Sequence, residues 1–563
     1  MLTPLIMVMM LLLSSIGAVA ALVTAELPTP SDRAEQMLRN MTLDEKMRIM
    51  RGCTGDYVGN IEGNTRLKIP AISMQDGPQG FRITKKTGAQ GTSTAWPSSL
   101  NIAASFDPDL AYRWAVGMTE EFVLKGSNMN LSPGLGIARV PTAGRNFEYL
   151  CGEDPYLGGI LGAQVVKGIQ SKGVIANAKH FVNNEIEKNR MTVSSTVDEK
   201  IRFQIYYPPF QAAIDAGVLS IMCSYNLING KHACENDITL NELRTIMGFQ
   251  GFVLSDWLAA HSTVASIEAG LDQELPYGIF LSGIAIQSAL AYGGIKISQI
   301  DRSVLRILTA MYTIGLFDTP EDSVKGDPLA DVTSEEHSLL AREVAAKSIV
   351  LVKNSKNLLP LDKLKLKRIG VFGDESTVSG NGSGHVSPSH GHIVTATEGI
   401  TAAVIGYDIS VEYFKIPDGV DKDNGLNIAT AFAAQCDVII VVVATTSGEG
   451  YDRPSLQLGN GQDELVLALY NSNPHIIVVV MTPGAVLMPW ANDISTILIC
   501  FLPGEQAGNG LADVLFNTHN PSARLPITMP NIDNEMEFTP GQYPGVGSPP
   551  VATYTEGLLV GYR

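Results

Sequence analysis

The sequence is short of cysteine, of clustered positive charge and, beyond its first residues, of long apolar runs. Six cysteines in 563 residues are too few for a disulfide-built scaffold. Cys151, Cys436 and Cys500 show no metal-ligand spacing, and Cys436 and Cys500 lie in or beside apolar strand-like runs as small core residues. Cys223 and Cys234 flank a stretch that reads as a loop, and an extracellular setting would permit them to pair. No block of Lys and Arg relieves the formal net charge of −17, which excludes a nucleic-acid partner. No pattern such as His-Glu-x-x-His is present, so neither a metal nor another cofactor is expected. After residue 22 every apolar run is of strand length, so no later membrane span is expected.

What is there begins with Leu5 to Leu22, an apolar run without charge, followed by the small residues of Ala18-Val19-Ala20 and Val23-Thr24-Ala25. That is the shape of a secretory signal peptide over residues 1–25, with a secreted protein as the consequence. No Lys or Arg precedes the run, so an uncleaved membrane anchor is the other reading. Asn40, Asn130 and Asn381 open Asn-x-Ser/Thr sequons, with Asn130 the least accessible of the three.

The length calls for two domains. Residues 26–317 alternate strand-like and helix-like segments, as a (β/α)8-type barrel requires. Residues 318–337 are rich in Asp, Glu, Pro and Ser and read as a connection. In 338–563 a helix-like run, Leu340 to Ser348, opens a series of apolar strands. These are Ile349 to Val352, Arg368 to Phe372, Asp437 to Val443, Ile476 to Met481 and Thr496 to Phe501. Such runs predict a parallel sheet covered on both faces, an α/β sandwich.

Five barrel strands end in polar residues. Ile72 to Met74 runs into Asp76, with Arg82 six positions on, and Asn128 to Leu131 leads to the loop holding Arg145. Val174 to Ala178 ends in Lys179-His180, Leu219 to Cys223 in Ser224-Tyr225-Asn226, and Phe252 to Leu254 in Ser255-Asp256-Trp257. The C-terminal ends of barrel strands carry the active site in this architecture, so Asp256 is a candidate nucleophile and Trp257 a platform for a ring. The plain alternative is that Asp256 caps the next helix. Together the rim offers carboxylates that accept from hydroxyls, cations that donate to them and aromatics that cover a ring's C–H face, which suits a polyhydroxylated ligand.

Two glycine-rich loops mark the second domain. Gly380 to Gly384 is spaced Gly-x-Gly-x-Gly with no helix following directly, so it is not a dinucleotide fingerprint and reads as a loop lining a cleft. In the other, Glu449 stands between two glycines after an apolar strand, a carboxylate presented at a strand tip.

AKHFVNNEIEKNR (Ala178 to Arg190), IMCSYN (Ile221 to Asn226), GFVLSDW and SGEGYDR (Ser447 to Arg453) resemble the signature blocks of glycoside hydrolase family 3, especially its secreted β-glucosidases. MQDGPQGFR (Met74 to Arg82), GRNFE (Gly144 to Glu148) and NPSARLPITMP (Asn520 to Pro530) agree, in the family's order. The resemblance implies a barrel followed by an α/β sandwich with the site at their interface. It implies Asp256 as nucleophile and Glu449 as general acid/base from the second domain. Asp76, Arg82, Arg145, Lys179, His180 and Tyr225 would hold the terminal sugar or position the nucleophile, and Trp257 would flank the scissile bond.

The chemistry then requires Asp256 ionised and Glu449 protonated, about 5 to 5.5 Å apart, for retention through a covalent glycosyl-enzyme. Cations beside Asp256 should keep it charged, whereas Glu449 needs a less cationic setting. Within the family, the residues after His180 and the aspartate at 76 favour a glucose-type sugar over N-acetylglucosamine or xylose. The substrate expected is therefore a short oligosaccharide or β-glucoside cut from its non-reducing end. A β-xylosidase or arabinosidase, and a non-catalytic sugar-binding homologue, are the alternatives. Secreted members commonly continue past the point where this chain ends, at Glu556 to Arg563, through the last part of the sandwich and a fibronectin-like domain. A natural short form, a truncated sequence and a fragment all fit that ending.

Overall fold

The computed structural model describes residues 28–84, 90–318, 326–414 and 422–563; the leader predicted over residues 1–25, and residues 319–325 of the predicted connection, lie outside that range. The first domain is built on a curled sheet of six strands. In order around the sheet they are Gly59–Ile61, Ile72–Asp76, Met129–Leu131, Ile175–Phe181, Ser220–Cys223 and Phe252–Ser255. Single bridges continue the circuit. Leu254 pairs with Gln273, Glu274 with Arg51, and Cys53 donates to the Asn60 carbonyl at 2.9 Å, which brings the chain back to the first strand. The barrel therefore closes, but not with parallel staves alone, because Gly59–Ile61 runs antiparallel to Ile72–Asp76.

Local sequence explains the elements. Every residue of Ile175–Phe181 and of Phe252–Ser255 is buried, as expected of strands covered on both faces. The covering helices Pro108–Leu124 and Pro155–Gln170 each start with an aspartate N-cap, Asp107 or Asp154, and a proline in the first turn. They pack closely: a Cβ added at Gly168 would stand 2.8 Å from the Ala115 Cβ.

The second domain is a six-stranded sheet in the order Val350–Asn354, Thr496–Ile499, Ile476–Met481, Val438–Ala444, Arg368–Gly373, Ser410–Phe414. The predicted Val/Ile runs form its core, and the two central strands are buried throughout. Two features depart from the sequence reading. Val350–Asn354 pairs antiparallel with Thr496–Ile499, so one edge is not parallel. Ser410–Phe414 is a further edge strand, parallel to Arg368–Gly373. Its residues are exposed or half-buried, so it never presented the continuous apolar run that marks a covered strand. The helix predicted from Leu340 begins earlier, at Glu335, with Ser334 as N-cap and Glu335 and Glu336 in its first turn. Acidic residues that read as linker are in part a helix start.

The last segment returns to the barrel. Val551–Thr553 pairs in parallel with Ser194–Thr196, and Glu556 forms an ion pair with Arg139, which is 1% exposed. Cys223, at the end of a barrel strand, is joined by a disulfide to Cys234. Of the sequon asparagines, Asn40 and Asn381 are exposed while Asn130 is fully buried.

Candidate active site

The barrel strands set one half of the site. Asp256 follows directly on Phe252–Ser255, is 4% exposed, and donates its backbone N–H to the Cys223 carbonyl at 3.1 Å. Its Oδ1 accepts from the Trp257 backbone N–H at 2.8 Å. Oδ2 is buried and makes no hydrogen bond. Asp256 is not a helix cap, since the next helix starts only at Val264 with Thr263 before it. The Trp257 side chain is partly buried against the core.

Lys179 and His180 lie within the strand Ile175–Phe181 rather than beyond its end. Both point to carboxylates: Lys179 Nζ is 3.4 Å from Asp76 Oδ1, and His180 Nε2 is 3.6 Å from Asp256 Oδ2. Burial, with Arg145, Lys179 and Arg190 nearby, lowers His180 well below the usual imidazole range, so the ring is neutral. The Tyr149 hydroxyl is 3.4 Å from Nδ1, and burial keeps that phenol protonated. With Tyr149 as donor to Nδ1, the ring hydrogen sits on Nε2 and faces Asp256. Asp76 also accepts from Arg82 Nη1 at 3.0 Å, which places an acid and two cations side by side on the rim.

Glu449 comes from the second domain, on the loop after Val438–Ala444. Its Oε1 is 2.9 Å from Arg190 Nη1 and 3.7 Å from Arg145 Nη1, both barrel residues. Arg145, 3% exposed, is held by Glu148 at 2.7 Å, and Arg190 lies over the Tyr225 ring at 4.4 Å. The glycine loop packs against this carboxylate, because a Cβ on Gly382 would stand 2.5 Å from the Glu449 Cβ.

The charges differ from the sequence expectation in two respects. Burial raises Asp256 to about 6 despite the opposing fields of Arg145 and Lys179, with the Glu449 charge adding to the rise. Desolvation therefore outweighs the cations that were expected to hold it low. Glu449 is not in a weakly cationic setting, since two guanidiniums face it.

Two residues not singled out in the sequence, Asp452 and Glu187, hold the domains together. Asp452 Oδ1 accepts from the backbone N–H groups of Gly144 at 3.0 Å and Glu187 at 2.9 Å. Its Oδ2 accepts from Lys188 N–H and the Tyr543 hydroxyl, each at 3.1 Å. Glu187, 4% exposed, accepts from Gly450 N–H at 2.7 Å and pairs with Arg190 at 2.6 Å. Burial lifts Glu187 to about 7, against the pull of Arg145 and Arg190. Among the described residues no cluster of His, Cys, Asp and Glu could hold a metal ion, and no helix is long and apolar enough to cross a membrane.

Comparison with known proteins decides the family. Residues 54–310 match the Glycosyl hydrolase family 3 N terminal domain, and residues 349–562 match the Glycosyl hydrolase family 3 C-terminal domain. The chain belongs to glycoside hydrolase family 3. Among curated relatives of the family, the probable beta-glucosidase L of Aspergillus terreus is 33% identical over 94% of this chain and 75% of its own length. The thermostable beta-glucosidase B of Acetivibrio thermocellus is 34% identical over 94% and 70%. The solved structure of DesR, a beta-glucosidase from Streptomyces venezuelae in complex with D-glucose, superposes with a TM-score of 0.87 at 29% identity, covering 94% of this chain and 82% of that one. The beta-D-glucoside glucohydrolase of Trichoderma reesei gives 0.84 at 31% identity, covering 96% and 78%.

Proposed function

We propose that the chain is a retaining β-glucosidase that removes terminal non-reducing β-D-glucosyl residues from short oligosaccharides or glycosides. The observation that carries this reading is the meeting of two acids from separate domains around Arg145: its guanidinium is 3.7 Å from Glu449, and both it and Glu449 act on Asp256. Asp256 is the nucleophile, with Oδ1 engaged by the Trp257 N–H and Oδ2 facing His180 Nε2 at 3.6 Å. Glu449 is the general acid that protonates the leaving oxygen, then the base that takes a proton from water. The two carboxyls stand about 5 to 5.5 Å apart when substrate is bound, as retention through a glycosyl-enzyme demands. Asp76 accepts from sugar hydroxyls while Lys179 and Arg82 donate to them. Arg145, His180, Tyr225 and Trp257 line the same site, with His180 and Tyr225 ordering the nucleophile.

The proposed domain division is a barrel over residues 26–317 carrying the nucleophile and a sandwich carrying the acid/base, with the connection read over 318–337 ending before the helix that starts at Glu335 and with the last strand returning to the barrel. Export from the cell is supported by the leader-like residues 1–25 and by the Cys223–Cys234 disulfide, a bond that persists in oxidising compartments. A panel of nitrophenyl β-glycosides, scored with Asp256→Asn and Glu449→Gln beside the parent chain, tests the assignment. Glucoside turnover that both variants lose, with β-glucose as the first-formed anomer, is expected. A panel led by the xyloside or arabinoside, or α-glucose released first, would overturn it.

A further inference from the structure

The setting of Glu449 poses a difficulty for an acid, because its neighbours favour a carboxylate without a proton. Arg190 Nη1 lies 2.9 Å from Glu449 Oε1, yet the same Nη1 lies 2.6 Å from Glu187 Oε2. One guanidinium nitrogen is thus shared by two carboxylates from different domains. Their needs differ. Glu187 is 4% exposed and burial lifts it to about 7, so above that pH it carries a charge that depends on Arg190 and on Gly450 N–H. The Glu449 side chain is 21% exposed and is partly solvated. Arg190 is also held over the Tyr225 ring, its guanidinium carbon 4.4 Å from the ring centre, which limits how far it follows Glu449.

We infer that Glu187 is a positioning residue for the acid step: it draws Arg190 away from Glu449, and through Gly450 N–H it fixes the loop, so that Glu449 can hold a proton against the leaving oxygen. This rests on Glu449 as the acid/base. Without the Glu187 charge, Arg190 turns wholly to Glu449 and locks it as an ion pair. Glu187→Gln separates the two contributions, since the amide oxygen still accepts from Gly450 N–H while the negative charge facing Arg190 is gone.

The test is kcat/KM above pH about 7, where Glu187 is ionised, across aryl β-glucosides of graded leaving-group acidity, for the parent, Glu187→Gln, Arg190→Lys and Glu449→Gln, each with its melting temperature. Arg190→Lys keeps a cation but gives up the guanidinium's contact with the Tyr225 ring that holds it between the two carboxylates, so it stands in if Glu187→Gln does not fold. Glu187→Gln and Arg190→Lys are expected to lose roughly 10-fold on phenyl β-glucoside and less than about 3-fold on dinitrophenyl β-glucoside, which needs little protonation. Equal losses on both substrates, or none on either, overturn the inference. If Glu449→Gln shows the leaving-group dependence and the other two do not, Glu187 falls and Glu449 stands. If Glu449→Gln shows none, both assignments fall.

Discussion

The two halves of the site are held in place by different means. Asp256, Lys179 and His180 sit in or directly after barrel strands, where the backbone ladder and complete burial fix them. Glu449 sits on a loop whose position comes from side chains reaching the barrel backbone, chiefly Asp452 to Gly144, Glu187 and Lys188. Exposure follows the same division, with the Asp256 side chain at 6% and that of Glu449 at 21%. The proposed nucleophile is thus as rigid as the fold, while the proposed acid is only as well placed as a few charged hydrogen bonds, each worth about 1.5–3 kcal/mol.

That contrast can be broken by substitution. Asp256→Asn should cost roughly 10⁴-fold or more in kcat on nitrophenyl β-glucoside without lowering the melting temperature, as measured by steady-state kinetics and calorimetry. Glu449→Gln should cost about 10²–10⁴-fold on substrates with poor leaving groups and far less on dinitrophenyl β-glucoside, a difference that initial rates on the two substrates reveal. Asp452→Ala frees the loop from the barrel and leaves the strands untouched, so kcat should fall roughly 10–100-fold through misplacement of Glu449. An isolated Asp452→Ala loss in the nucleophile's trapping rate, with leaving-group dependence unchanged, would show the contrast to be wrong.

The acid limb of the pH profile reports the other half. Burial raises Asp256 to about 6, so this proposed nucleophile is ionised above that pH and protonated below it. The kcat/KM of the free enzyme should therefore rise with pH through about 6. It should drop about tenfold per unit on the acid side. A limb near the ordinary aspartate value would mean that the cations outweigh burial after all. The smallest effect belongs to Tyr543→Phe, which removes one donor from Asp452 and should cost ~0.5–1.5 kcal/mol of loop anchoring, read as less than a few-fold change in kcat.

Much of this was legible in the chain. Apolar runs ending in Asp76, Lys179-His180, Tyr225 and Asp256 identified the barrel strands because burial on both faces leaves a plain signal. The antiparallel edge at Val350–Asn354 was not, since strand direction depends on how the connections run and not on which residues are apolar. Ser410–Phe414 was missed because a half-exposed edge strand carries polar residues. The carboxylates Asp256 and Glu449 stood out at strand tips, but Asp452 and Glu187 did not. Asp452 meets its partners across 265 and 308 positions of sequence, and no local pattern encodes such a contact. The charge balance was also hidden: neutral-looking spacing gave no sign that Arg190 would join Glu449 or that burial would lift Asp256.

Under the proposed mechanism Asp256 attacks the sugar while Glu449 serves the leaving group from the other domain. Incubation with a slow 2-deoxy-2-fluoro-β-glucoside bearing an activated leaving group, followed by peptide mapping, tests it most directly. A single covalent glucosyl adduct on Asp256, which also forms in Glu449→Gln, is the result this account predicts. An adduct on Asp76, Glu187 or Glu449, or turnover that leaves no adduct while inverting the anomeric centre, would contradict it.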